Sequence, residues 1–303
     1  VTGLPDILDV QWLGVDGSVW DLYSGVDGVS LADGLSGLHL PTWTQQVATS
    51  ARVAGRAYKG TVYGPRTAVL NLNVGDIWGG SPRVGRAWRD LDAAWWRSLS
   101  PEVPGRLLVS SDSGGFRFLD CRLDAAPDPA YQKDPGLLGL GTYAATLVSD
   151  AAFWKGLDVQ KTFTFDVQPV NYYSGVAGTG GSVVYISRAS SLASATISNP
   201  GDRPTYARWT FTGPGVVTFG IDGHTTTLPP LTAGQVLMID SDPQVSTVTD
   251  AAGTNLWPIV GLCDFTVPVP PGAAVPLDLR IEGGVYMTSS IAVALTPLYD
   301  RAT

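Results

Sequence analysis

Apolar and polar residues alternate along most of this chain. In "LDVQWLGVDGSVWDL", Val10 and Trp12 and then Val19 alternate with polar neighbours around Asp16-Gly17, a hairpin signal. In "RTAVLNLNVGD", Ala68, Leu70, Leu72 and Val74 lie opposite Val69, Asn71 and Asn73, which predicts a strand with one apolar face. One segment changes period. Val84, Trp88, Leu91, Trp95 and Leu99 follow one another at helical spacing, with Arg83, Arg86, Arg89, Asp90 and Asp92 off that stripe. Ser81-Pro82 supplies an N-cap and an N1 proline, and Ser100-Pro101 a stop, so a helix is expected over about 81–100. Trp88 and Trp95 are read as core anchors that hold this helix on a sheet.

Strand patterning resumes with "GRLLVSSDSGGFRFLDCRL", a hairpin around Asp112–Gly115, and with "GTYAATLVSDAAFW". Between Lys155 and Asn199 the composition loosens into Gly-rich and Ser/Ala-rich stretches. The corner "NPGDRPT" then opens a regular series of strands. Ala207, Trp209 and Phe211 share one face, with Trp209 and Phe211 as core anchors. Val217–Ile221, Val236–Ile239, Val245–Thr249, Phe265–Val269, Leu277–Ile281 and Ile291–Leu295 follow, with turns between them. Seven or so strands at about ten-residue spacing describe a β-sandwich. With 303 residues the chain exceeds what one core comfortably supports. The expectation is a mainly β protein of two domains, 1–155 with the helix and 156–303 as the sandwich. Its 36 glycines and 22 prolines, spread throughout, suit many short elements joined by turns.

Charge narrows the function. A net charge of −8 argues against a nucleic-acid-binding surface, and no apolar run is long enough for a membrane span. The start of the sequence, "VTGLPDILDV", has acids where a secretory leader has a basic region, so none is expected. Two distant cysteines, Cys121 and Cys263, read as buried thiols with no disulfide framework.

Candidate chemistry is sparse. His39 and His224 are the only histidines, and no G-x-S-x-G elbow accompanies them. "DSDPQ" at Asp240 opens like a calcium loop but has Val245 and Ala251 where glycine and glutamate are required. "GLGTYA", Gly139–Ala144, matches a dinucleotide fingerprint but opens a strand where the fingerprint must open a helix. Asp supplies nearly all the acids, mostly in turns, and selects no carboxylate pair. No catalytic residue, metal ligand or cofactor is predicted. Of the ten tryptophans, those off the predicted inward faces could stack on sugar rings, with Tyr206 and Trp257 as the first candidates.

"NPGDRPTYARWTFTGPG", "LTAGQVLMIDSDPQ", "FTVPVPPGAAVPLDLRIEGG" and the closing "IAVALTPLYD", in that order, resemble the C-terminal domain of the distal tail protein family of long-tailed phages. The N-terminal half is similar too, with its single helix, the hairpin "FRFLDCRL" and "SDAAFW". The resemblance implies a structural virion protein without catalysis, assembled in the host cytoplasm. An N-terminal belt domain, β-sandwich-like, would close a homohexameric ring at the tail tip, and the C-terminal domain would be a galectin-like or jelly-roll sandwich. The implied partners are the tail tube protein, the tail hub protein and receptor-binding or fibre proteins. Phage DNA would pass through without specific binding, in a lumen bordered by Asp. The alternative is a carbohydrate-binding adhesin that holds host glycan on the C-terminal sandwich.

Overall fold

The computed structural model describes residues 7–76, 83–125, 131, 133–165, 170–171, 185–186, 190–191, 195–261 and 265–303. The chain divides into two compact units. Unit 1 comprises Val1–Gly156 together with Tyr299–Thr303, and unit 2 comprises Leu157–Leu298. The last five residues, which sequence reading assigned to the second domain, therefore belong to the first.

Unit 1 is built on a strongly curled antiparallel sheet. Its elements are β1 (Asp9–Leu13), β2 (Val19–Asp21), β3 (Val29–Ser36), β4 (Trp43–Ser50), β5 (Val53–Tyr63), β6 (Arg66–Gly75), α1 (Arg86–Arg97), β7 (Gly105–Ser111), β8 (Gly115–Ala125), α2 (Pro135–Leu138), β9 (Leu140–Ser149) and β10 (Trp154–Gly156). The sheet runs β2-β1-β7-β8-β9-β6-β3. The Leu31 N–H donates to the Leu22 carbonyl at 2.8 Å, so β3 returns beside the residue that follows β2 and almost closes a barrel. Strand β6 shows why the alternation was legible. Ala68, Leu70, Leu72 and Val74 point into the core, and their neighbours face outward.

Helix α1 packs its stripe into this core, but it is shorter than the sequence suggests. Trp88, Leu91 and Trp95 are buried, whereas Val84 precedes the helix and is 51% exposed. Gly85 is the N-cap and offers no side chain; Ser81 and Pro82 lie outside the described residues. At the other end, tertiary partners take the last turn. The Ser98 N–H and hydroxyl both donate to the Trp95 carbonyl, and the Ser98 carbonyl accepts from Val15 N–H at 2.9 Å and Trp12 Nε1 at 3.3 Å. Ser98 thus ends the helix two residues before Ser100. Trp88 Nε1 donates to the Val74 carbonyl at 2.9 Å, and Trp95 meets Trp20 edge to face at 5.5 Å. The first hairpin forms around Asp16-Gly17 as expected, but by a loop of five residues, 14–18, in place of a two-residue I′ turn, with the Asp16 carboxylate accepting from Ser18.

Unit 2 is a sandwich. It contains β11 (Val159–Thr164), the short β12 (Val170–Asn171), β13 (Tyr185–Ile186), β14 (Ser190–Ser191) and β15 (Thr196–Ser198), then β16 (Ala207–Thr212), β17 (Val216–Ile221), β18 (His224–Thr227), β19 (Val236–Asp240), β20 (Thr247–Asp250), α3 (Trp257–Val260), β21 (Ala274–Glu282) and β22 (Ser290–Leu295). One sheet runs β11-β22-β16-β19-β20; the other runs β14-β21-β17-β18, with β15 also on β21. The two share one core, in which Trp209, Phe211 and Phe219 pack at 4.7–6.1 Å between ring centres. The strand expected over Phe265–Val269 is absent. Pro268 and Pro270 have no N–H to give a ladder, and Val269 pairs with Thr205 as an isolated bridge. Asn199 forms the corner before the central strand β16. Its buried amide donates to the Arg203 and Val269 carbonyls and accepts from Gly201 N–H.

One residue organises the open side of unit 1. Arg66, the first residue of β6, is buried, and its guanidinium donates to four backbone carbonyls. Nε reaches Ala152 O at 3.0 Å, Nη1 reaches Gly37 O at 2.8 Å and His39 O, and Nη2 reaches Asp300 O at 3.0 Å. The Trp154 ring lies 5.7 Å from the same guanidinium carbon. Burial lowers its pKa to about 10, so it stays charged at neutral pH.

Trp95→Ala is expected to cost about 3–5 kcal/mol of stability, as for other fully buried aromatics, whereas Val84→Ala should change it by no more than about 0.5 kcal/mol. Guanidinium denaturation followed by tryptophan fluorescence measures both, and equal effects would contradict the placement of the helix.

Candidate assembly surface

Strands β4 and β5 form a two-stranded sheet of their own, paired from Trp43↔Tyr63 to Ser50↔Val53. The alternation here is weak, and β4 is exposed at every position. Two register shifts, one after Gln46 beside Gly60 and one after Thr49, twist the ribbon. The base is closed by Gly64 N–H on the Thr42 carbonyl at 2.8 Å. Farther out, Arg56 Nη2 donates to Gln45 Oε1 at 3.0 Å, and Tyr58 and Thr61 share a hydroxyl–hydroxyl bond of 2.6 Å. No residue of the hairpin belongs to the described core of unit 1. Two strands with no third neighbour and no covered face are marginal in water. This ribbon also exposes Trp43, Val47, Tyr58 and Val62.

Its charge is equally distinctive. From Gly34 to Gly75 the sequence contains no acid, while Arg52, Arg56 and Lys59 sit on the hairpin of a chain whose net charge is −8. Near the tip, Ala48, Thr49, Ser50, Ala54, Gly55 and Ala57, with the longer side chain of Arg56, line a shallow groove of about 350 Å³. Sequence reading passed over this segment. The missing acids and the exposed β-formers were visible; the lack of a covering layer was not.

The residues singled out from sequence fall elsewhere. Trp88, Trp95, Trp209 and Phe211 are all buried. Tyr206 and Trp257 are half-buried, and among the described residues no ring contact links them. Trp257 stacks on Phe265 at 5.4 Å and donates Nε1 to the Ser246 carbonyl at 3.2 Å. A second groove, of about 340 Å³, crosses the outer face of unit 2 over Ala292 and Ala294, beside Gln160, Thr210 and Met238; no aromatic ring lines it. Its Arg208 is already held by Asp158 at 2.5 Å and by Thr296.

His39 and His224 are exposed, and His39 contributes its carbonyl to Arg66. Burial, reinforced by the neighbouring Asp120 charge, pushes the Cys121 thiol up to about 12; Cys263 lies outside the described residues. In the Asp240 loop the carboxylates serve the turn itself, Asp240 accepting from Asp242 N–H and Asp242 from Gln244 N–H. Among the described residues no three His, Cys, Asp or Glu side chains converge as a metal site would require. Gly139 caps α2 with a left-handed φ of 71° and leads into β9, so the G-x-G-x-x-A match marks a helix-to-strand turn. Asp120 takes part in two ion pairs. Burial pushes its pKa up, but hydrogen bonds and charge from Arg106 (2.7 Å) and Lys155 (3.0 Å) outweigh that and hold it below the usual range.

Neither a family model nor a curated protein sequence matches this chain. Solved structures do. The Dit protein of phage SPP1, described as a paradigm of the hub adsorption apparatus in phages that infect Gram-positive hosts, aligns with a TM-score of 0.62 at 12% identity, over 96% of this chain and 99% of that one. A chain of the phage P2 baseplate, in its activated conformation with calcium, aligns with a TM-score of 0.51 at 12% identity, over 96% and 98%. The likeness is one of fold, and it runs through both units.

Two outcomes are expected. Trypsin should cut after Arg52, Arg56 or Lys59 sooner than after Arg106, Arg117 or Arg208, which lie in sheets; peptide mapping of early cleavages decides. The Asp120 pairs stabilise the fold only while the carboxylate is charged, so their contribution is complete above about pH 4 and fades as pH falls through the lowered folded value. Asp120→Asn should therefore flatten the fall in stability below pH 4, and an unchanged pH profile would contradict this assignment.

Proposed function

We propose that this chain is a structural protein of a phage tail tip, of the distal tail kind, and that it works without catalysis. In this reading, copies of unit 1 close a hexameric ring between the tail tube and the tail hub. DNA passes through the ring, and unit 2 faces peripheral receptor-binding or fibre proteins. The observation that carries the reading is the end-to-end correspondence with SPP1 Dit, 96% of one chain on 99% of the other. A generic sandwich likeness would extend over one unit only.

The hairpin supports the assembly part. A ring generated by rotation needs one surface on each copy that engages a different surface on the next. β4–β5 is such a projecting element, with apolar side chains that need cover and cations in an otherwise acid-rich chain. Its natural seat is the acidic surface of a second copy, where attraction between unlike charges would guide docking and fix the register. The acid excess left elsewhere would keep DNA from adhering during passage.

Light scattering and negative-stain imaging of the purified chain test this reading. The expected species is a ring with a central hole and about six times the 31.9 kDa chain mass. The triple variant Arg52→Glu, Arg56→Glu, Lys59→Glu should remain a folded monomer by circular dichroism, and added salt should weaken the wild-type ring. Normal rings from the triple variant would remove the hairpin from the interface. A wild-type chain that forms no ring, alone or on tail tubes, would sink the proposal.

A further inference from the structure

We infer that the Arg66 clamp couples the hairpin to the two chain crossings between the units, so that the root of β4–β5 and both crossing segments change conformation together. The only covalent connections between the units are the peptide bonds Gly156–Leu157 and Leu298–Tyr299. Arg66 itself follows the hairpin directly, and two of its acceptors, Gly37 and His39, belong to the segment that enters it. The third, Ala152, stands just before the outgoing crossing, and the fourth, Asp300, just after the returning one. One rigid, planar cation is therefore shared by the hairpin root and by both crossing segments.

Other contacts follow the same path. Tyr63, the last residue of β5, meets the Phe153 ring edge to face at 5.1 Å. The Ala302 N–H donates to the Leu38 carbonyl at 2.8 Å, and Ala302 is fully buried. Gly37 has a φ of 91°, and a Cβ there would fall 2.3 Å from the Thr67 carbonyl, so the root runs close against β6 with no room for a side chain. The two crossings also adjoin each other, since a Cβ on Gly156 would lie 2.7 Å from the Tyr299 ring.

The chemistry makes the coupling strong. A buried guanidinium must keep its acceptors, because each carbonyl it loses leaves part of the charge without solvation. Displacing the hairpin root would pull Gly37 and His39 off Arg66 and release the geometry that holds Ala152 and Asp300. Lysine cannot substitute, since its ammonium has three donors on one nitrogen and no fork. The inference does not depend on what the hairpin binds.

Native-state hydrogen exchange on the full chain, read by mass spectrometry, tests it. Arg66→Lys should speed exchange about tenfold or more in peptides covering the hairpin root (37–42 and 64–66), the outgoing segment (152–156) and the tail (299–303), all together. Peptides of the core strand β7 should stay within about twofold. Tyr63→Ala perturbs the path from the hairpin side only and should raise exchange at 152–156 and 299–303 as well as locally. If Arg66→Lys loosens β7 equally, Tyr63→Ala alone decides. Faster exchange confined to the hairpin in Tyr63→Ala, or one crossing segment that stays protected while the other opens in Arg66→Lys, overturns the coupling.

Discussion

A positive charge held inside a protein must be solvated by the protein, and Arg66 meets that demand with four backbone carbonyls, beside the Trp154 ring and the charge of Asp300. Those carbonyls come from three separate segments of unit 1: the chain entering the hairpin, the loop before β10 and the C-terminal return. One guanidinium joins four neutral carbonyls from separate segments at once, whereas a single carboxylate would accept at one place only.

Around that point unit 1 resolves a competition between closure and reach. The curled sheet buries its aromatics against α1 and nearly closes on itself, which leaves little edge for unintended pairing. The hairpin does the reverse and presents both faces to water. Isolated ribbons are poor folding units, and this one is rooted at Gly64 and Arg66 while its apolar and cationic side chains stay exposed. Unit 2 contrasts with it, for its core is continuous across two sheets.

Much of this was legible in the sequence because burial imposes a period. Strands with one face in the core alternate, as β6, β16, β17, β21 and β22 do, and a helix with one buried stripe repeats at 3–4 residues, as Trp88, Leu91 and Trp95 do. Prolines can be read in the same local way. Pro268 and Pro270 forbid a ladder at Phe265–Val269, and giving their missing N–H groups more weight than the apolar alternation would have removed that strand.

What the sequence determined by itself was therefore which faces turn inward, roughly where elements start and stop, and that many acids serve turns. The tertiary structure alone decided three further matters: that α1 ends at Ser98, that the β4–β5 hairpin stands apart from the described core, and that Arg66 gathers carbonyls as far away as Asp300, 234 positions along the chain. The reason is physical. Periodicity records whether a side chain is buried, a local property repeated along an element. The partner that buries it, or accepts its hydrogen bond, is set by long-range topology, and a backbone carbonyl, present at every residue, leaves no mark in the sequence.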